Sequence, residues 1–505
     1  MKSELRAAST ALALLLSVSV HAADKPDARI RVFESSLRSA VSVEGQADPQ
    51  WTVQERMAYW KVPGMSIAVI RDGKLAWAKA YGVLQVGAPG KVDTQTMFSV
   101  GSVSKVGAAA LTLRMVDAGK LDLDADVNGY LARWKVPENA FTSVRPVTLR
   151  GILSHTAGFS VSGFKDYAPH EPIPTQLDTL EGRAPAKNNP VRVEFVPGTK
   201  FQYSGGGITV EQLIVEDVAG VDFNRAARQY LFDPLGMKRS SYENPLPAEY
   251  GNIAKAHDAE GRPRALPRGY ETMPEMAASG LWTSPSDYAK LVIAIIESYQ
   301  GKTSNFLSSA LARQMLSETG PSWHGLGPVL KGAGLGRAFF HHGSNDSYKA
   351  YMEGHPNTGD GVIVFTNATN GKDLYPEVVR AVAVAEQWAP ELSDHWRINP
   401  LALTAAELNE FTGIYERQSA TSTYRNRDRA GISRIFLQDG SLHLNFNGGD
   451  DGYRMIPIGS NQFVYESMVG LVLEFVRNYD GQIGTLLIKT GGDVAEFKKT
   501  PTRER

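Results

Sequence analysis

Two Ser-x-x-Lys tetrads stand in this chain, Ser102-Val103-Ser104-Lys105 and Ser162-Gly163-Phe164-Lys165. A serine hydroxyl is a weak nucleophile until a base takes its proton, and a lysine one helical turn further on is placed to do so. That geometry needs a helix. From Ser102 to Ala118 the apolar residues Val106, Ala109, Ala110, Leu113 and Val116 recur at helical intervals, and Gly119 stands where a helix-ending glycine is expected. Ser102 therefore opens a helix, whose first turn offers positive potential and N–H groups to a developing oxyanion. Ser162 lies in the irregular run Ser160-Val161-Ser162-Gly163 and reads as loop. From spacing alone, an N-cap serine with a solvated lysine behind it is the favoured reading of Ser102.

Other chemistries find less support. With no cysteine in the chain, disulfides, thiolate zinc sites and cysteine nucleophiles are excluded. Asp122-Leu123-Asp124-Ala125-Asp126 has the alternating acids of a calcium loop, but Val127 stands where glycine is required. There is no His-Glu-x-x-His and no Gly-x-Ser-x-Gly. Neither a metal nor a cofactor is expected. His155, just before a glycine turn, reads as structural. Net charge is −1 and no Lys/Arg block stands out, which argues against nucleic acid or an anionic membrane surface as partner.

The elements that must position these residues divide the 505 residues in three. Lys2 and Arg6, an apolar run from Ala7 to Val20, and Val20-His21-Ala22 form the pattern of a signal peptide over residues 1–22, cleaved after Ala22. A periplasmic or secreted location follows as an expectation, with no integral membrane span, since no later apolar run is long enough. Residues 23–395 read as one α+β domain. It has a helix over Trp51–Tyr59, strands at Ser66–Ile70 and Leu75–Ala78 around an Asp72-Gly73 turn, an irregular stretch over 159–200, and helices at Thr209–Val218, Ala226–Phe232 and Ser284–Tyr299. Strands at Phe339–Ser344 and Gly361–Phe365 and a helix at Val378–Trp388 complete it. Residues 396–505 read as an all-β barrel or sandwich, with a short helix from Thr404 and five alternating strands between Ile432 and Ile488.

Several short segments then settle the weight given to Ser102. Val62-Pro63-Gly64-Met65-Ser66, Phe98-Ser99-Val100-Gly101-Ser102-Val103-Ser104-Lys105, Leu153-Ser154-His155-Thr156-Ala157-Gly158, Pro197-Gly198, Pro234-Leu235-Gly236-Met237 and Ser279-Gly280-Leu281 occur in that order. Together they resemble the serine β-lactamase and penicillin-recognising superfamily, nearest to its class C β-lactamases, D-amino-acid peptidases and esterases. The resemblance implies an antiparallel sheet flanked by helices, with a helical subdomain. It implies a small-molecule or short-peptide substrate, and catalysis by Ser102, Lys105 and Tyr203. Tyr203-Ser204-Gly205 occupies the place of the family's Tyr-x-Asn, with Gly205 where the amide belongs; a core tyrosine is the competing reading of Tyr203.

The family's Lys-Thr-Gly has a literal copy at Lys489-Thr490-Gly491, but this falls in the C-terminal β region and reads as a hairpin turn. His341-His342-Gly343-Ser344, on a strand after Phe339-Phe340, is the better counterpart. The resemblance assigns His341 to the proton network or to a substrate carboxylate, puts His342 and Gly343 beside it among the substrate-binding residues, and pairs the Ser344 and Ser102 amides as an oxyanion hole. A satisfied strand histidine is the alternative for both His341 and His342. Within this chemistry an esterase, a D-peptidase or carboxypeptidase, and a β-lactamase compete, and a non-catalytic binder on the same fold is the reading from outside it. Gly205 and His341 fit the esterase best.

Overall fold

The computed structural model describes residues 26–167, 170–266, 273–302, 306–420, 431–446, 448–449, 452–490 and 493–500. The expected signal segment and Gly491 lie outside them.

Asp72 and Gly73 both take left-handed φ, 52° and 72°. This is the turn geometry whose twist matches paired strands. It joins strand β1 (Gly64–Arg71) to β2 (Lys74–Gly82) as an antiparallel hairpin. Four later strands complete a six-stranded sheet: β3 (Val329–Lys331), β4 (Ala338–Asn345), β5 (Tyr348–His355) and β6 (Asp360–Thr366), in the order β2-β1-β6-β5-β4-β3. Alternate side chains leave opposite faces of a strand. Met65, Ile67 and Val69 accordingly enter one core, while Ala68 and Ile70 enter the other. The first core is covered by helices α1 (Pro26–Glu34) and α7 (Gly371–Ala385); α2 (Val53–Tyr59) packs beside them. The second lies under α6 (Pro285–Gln300) and the helical part of the domain.

At the centre of that helical part is α3 (Ser104–Asp117), buried without interruption from Ser104 to Leu113. An apolar helix with no polar stripe can persist only inside a core. Neighbouring it are α4 (Gly205–Ala219), which replaces the expected Thr209–Val218 helix with an earlier start, and the short α5 (Met276–Ser279). The expected helix at Val378–Trp388 likewise begins earlier, at Gly371, and runs through Pro376.

The strand Trp396–Ile398 pairs in parallel with Val41–Val43. Beyond it α8 (Ala405–Glu410), held by a Thr404/Glu407 capping box, leads into eight strands: β7 (Gly413–Ala420), β8 (Ile432–Gln438), β9 (Ser441–Asn445), β10 (Tyr453–Gly459), β11 (Gln462–Tyr465), β12 (Leu471–Arg477), β13 (Ile483–Thr490) and β14 (Asp493–Lys499). They close as an antiparallel barrel, so a barrel is correct and a sandwich is not. Phe411, Phe463 and Phe475 pack on one another within 4.7–5.6 Å at its centre.

One polar contact joins α3 to α4. Thr112 Oγ1 donates to Glu211 Oε1 at 2.7 Å, and the second carboxylate oxygen is buried without a hydrogen-bond partner. Burial pushes the Glu211 carboxyl up to about 8. The unfolded chain releases that proton near 4.5 and the folded chain holds it to about 8, so the cost of Glu211 grows as pH rises between these values. In Glu211→Gln, melting temperatures followed by circular dichroism should therefore gain on the wild type progressively from pH about 4.5 to about 8. A difference that does not change with pH would contradict this.

Candidate active site

The turn carrying Ser102 is held from three sides. Residues Gly101–Val103 form a 3-10 turn that runs directly into α3. The Val103 carbonyl accepts from the Tyr288 hydroxyl at 3.0 Å, and the Ser104 carbonyl from the Tyr242 hydroxyl at 2.7 Å. Ser104 Oγ in turn accepts from the Leu281 N–H at 2.9 Å.

Two glycines then let this turn meet the sheet edge. Gly101 has φ +49°, and a Cβ there would lie 2.6 Å from the Ser344 nitrogen. A Cβ on Gly343 would lie 1.9 Å from the Val100 carbonyl oxygen. Both positions exclude a side chain, and the Ser344 amide therefore lies against the start of the Ser102 turn. Asn345, which the motifs do not mark, closes the junction by donating to Ser99 Oγ at 2.6 Å.

Lys105, one turn beyond Ser102, is almost wholly buried. Its Nζ lies 3.1 Å from Ser102 Oγ and donates to the Ala278 carbonyl of α5 at 2.7 Å. It also lies 5.0 Å from the centre of the Tyr203 ring, within cation–π range. No salt bridge reaches Lys105 among the described residues.

A shell of histidines packs about the tyrosine. His155 lies 4.4 Å from Tyr203, His324 6.1 Å and His341 6.3 Å, between ring centres. His155 is held in left-handed backbone (φ +58°), and its Nδ1 accepts from the Ser204 N–H at 3.2 Å. His341 Nδ1 donates to the His342 carbonyl at 2.7 Å, which leaves the Nε2 lone pair buried without a hydrogen-bond partner. Burial first, then neighbouring His324 and Lys105, pushes His155 and His341 well below the ordinary imidazole value. His324 falls to about 4, chiefly by burial. All three rings are neutral at pH 7. His324, in the loop Ser322-Trp323-His324-Gly325, has no spacing or motif by which the sequence could have marked it.

Two expected site residues are placed elsewhere. His342 follows His341 on a strand, so its ring leaves the opposite face, where it meets Tyr351 and bonds to the Tyr375 hydroxyl at 2.8 Å. It does not share the space around Ser102. Gly205 is buried at the start of α4, and a Cβ there would lie 3.0 Å from the Phe164 ring. Lys489 and Thr490 of the literal Lys-Thr-Gly copy end strand β13 of the barrel, with Lys489 donating to Glu474 at 2.8 Å. Ser162 and Lys165 lie in irregular chain.

A serine, a buried lysine on its next turn and a tyrosine ring against that lysine are the residue types found together in the Ser-x-x-Lys serine enzymes. The Beta-lactamase family model matches residues 51–387, and the chain belongs to this family. It is 27% identical to penicillin-binding protein 4 of Amycolatopsis lactamdurans over 392 residues, 71% of this chain and 94% of that one. It is 26% identical to the unguisins hydrolase of Aspergillus violaceofuscus over 270 residues, but spans only 44% of that protein's length. Among solved structures, an octameric penicillin-binding protein homologue from Pyrococcus abyssi superposes with a TM-score of 0.56 at 20% identity, covering 88% of this chain and 98% of that one. SurE with D-Leu superposes with a TM-score of 0.55 at 21% identity, covering 94% of this chain and 99% of that one. These two likenesses establish the fold, barrel included.

The contact at Gly343 is with backbone and has no flexible atom to yield. Gly343→Ala should displace the Ser344 amide, lowering kcat/KM on an activated ester at least about 100-fold, as loss of an oxyanion donor does. Steady-state kinetics alongside a thermal melt will check this; undiminished turnover would show that the close approach is not needed.

Proposed function

We propose that this protein is an exported serine hydrolase that cleaves a carboxylic ester through an acyl-Ser102 intermediate. The observation that carries the proposal is the 3.1 Å separation of Ser102 Oγ and Lys105 Nζ, with Nζ fixed by the Ala278 carbonyl. Unprotonated, Lys105 takes the hydroxyl proton as Oγ attacks the ester carbonyl. The resulting oxyanion lies at the Ser102 and Ser344 amides. Collapse breaks the bond to the alcohol, which leaves with the proton relayed by Lys105 and Tyr203. Water then attacks the acyl group, gives up a proton to the same pair, and frees the acid and Ser102.

Two features support an ester over a peptide or lactam. Gly205 stands where the family's amide side chain would meet a substrate amide, and a Cβ there would already press on the Phe164 ring at 3.0 Å. A neutral His341 offers a lone pair but no positive charge to a substrate carboxylate. The names of the relatives favour a second reading, hydrolysis beside a D-amino acid or of a β-lactam: penicillin-binding protein 4 is one relative, and a structural neighbour was solved with D-Leu. A binder without catalysis would have no use for a lysine buried against Ser102. Export is proposed from the basic, apolar and small-residue pattern over residues 1–22. No helix among the described residues is long and apolar enough to cross a membrane.

Turnover of p-nitrophenyl acetate, nitrocefin and D-alanine p-nitroanilide separates these readings. The proposal expects kcat/KM on the ester to exceed the other two by at least about 100-fold. It also expects Ser102→Ala to lose at least about 10,000-fold, as removal of a serine nucleophile does. Preference for nitrocefin or the anilide would favour the second reading, and full activity in Ser102→Ala would end both.

A further inference from the structure

A cavity of about 760 Å³ opens at the seam between the two parts of the chain. It lies on the side of the six-stranded sheet covered by α7, opposite the face that holds Ser102. One rim of the barrel is seated there. Phe446 follows β9, Tyr453 opens β10, Tyr465 ends β11 and Leu471 opens β12, so antiparallel alternation brings all four to the same end of the barrel. The opposing wall is α2 and α7. The cavity is thus both a domain interface and a barrel mouth, two places where ligand sites concentrate, and its size suits them. The barrel interior is packed with side chains, so the cavity ends on an aromatic floor: Phe446 and Tyr453 each lie 5.4 Å from Tyr465, and Trp60 is 6.0 Å from Tyr453, between ring centres.

The polar groups narrow the ligand. Arg56, Lys372 and Arg380 face the cavity together with Asp373, Glu377 and Glu466, so formal charges cancel. Arg56 and Glu377, both at least nine-tenths buried, pair through two bonds of 2.7 Å. Asp373 accepts from the Tyr453 hydroxyl at 2.8 Å. Burial raises the carboxyls of Asp373 and Glu466, as expected of acids withdrawn from water without full compensation by a cation. An ion entering here meets opposition as often as attraction, and a purely apolar molecule would strand the carboxylates. A neutral molecule with flat apolar faces and a rim of hydroxyls meets both demands, stacking on rings while its hydroxyls bond to the acids and arginines.

We propose that the seam between the barrel mouth and helices α2 and α7 binds a neutral saccharide. The full-length protein should be titrated calorimetrically with maltotetraose, cellotetraose and N-acetylchitotetraose, and followed by the fluorescence of Trp51 and Trp60, which line the cavity. At least one sugar should bind saturably with Kd between about 1 μM and about 1 mM. Tyr59→Ala, at a side chain 64% exposed, and Glu466→Gln, on the barrel, should each weaken it at least about tenfold while the circular dichroism spectrum is kept. Absence of binding by all three sugars up to about 10 mM, or binding unaltered by both substitutions, would overturn the proposal.

Discussion

The architecture of the site depends on how closely one turn of backbone can approach one strand. The turn at residues 100–103 and the strand β4 touch main chain to main chain, and this is possible only because neither Gly101 nor Gly343 carries a Cβ. Once that contact is made, the Ser102 turn has a single orientation. Asn345 secures it to Ser99, and the Tyr242 and Tyr288 hydroxyls secure the first carbonyls of α3. Lys105, a turn later, is then carried into the core with the Ala278 carbonyl as its acceptor. A helix buried over ten consecutive residues holds Lys105 beside Ser102, and the Ser344 backbone lies close against the same turn.

The electrostatic setting follows from the same burial. Lys105 meets no carboxylate in an ion pair among the described residues; its surroundings are a carbonyl, a hydroxyl, the face of Tyr203 and three imidazoles held neutral. Glu211, on the neighbouring helix, keeps its proton to about 8, as does the buried Glu275 that precedes α5. The neighbouring acids and imidazoles thus add little formal charge to the interior around the nucleophile. Such a setting strengthens fixed dipoles aimed at a developing oxyanion, and it provides no strong anchor for an anionic substrate.

Much of this was legible in the residues, for identifiable reasons. Asp72-Gly73 declares its hairpin through turn chemistry, and Ser284-Pro285 its helix through capping. The motif order marked Ser102, Lys105 and Tyr203 as a set, and the structure brings them together. What escaped had physical causes. Strand β5 is buried on both faces yet carries Lys349, Glu353 and His355. Glu353 pairs with Lys331 at 3.0 Å and hydrogen-bonds to His355 at 2.6 Å, so pairing hides a core strand from hydropathy. The helix expected from Val378 starts at Gly371 and runs through Pro376. His342 was grouped with His341 by adjacency, whereas strand parity separates them. His324 and Phe164 reach the site from irregular loops, whose placement no local pattern encodes.

The central claim is that Ser102 attacks a carbonyl whose oxygen is received by the Ser102 and Ser344 amides. A crystal structure of the protein after reaction with a p-nitrophenyl phosphonate tests it most directly. The account predicts phosphorus bonded to Ser102 Oγ, with one phosphonyl oxygen about 2.7–3.1 Å from both amide nitrogens, as oxyanion donors require. A phosphonyl oxygen directed away from the Ser344 amide, or modification at a different serine, would contradict it.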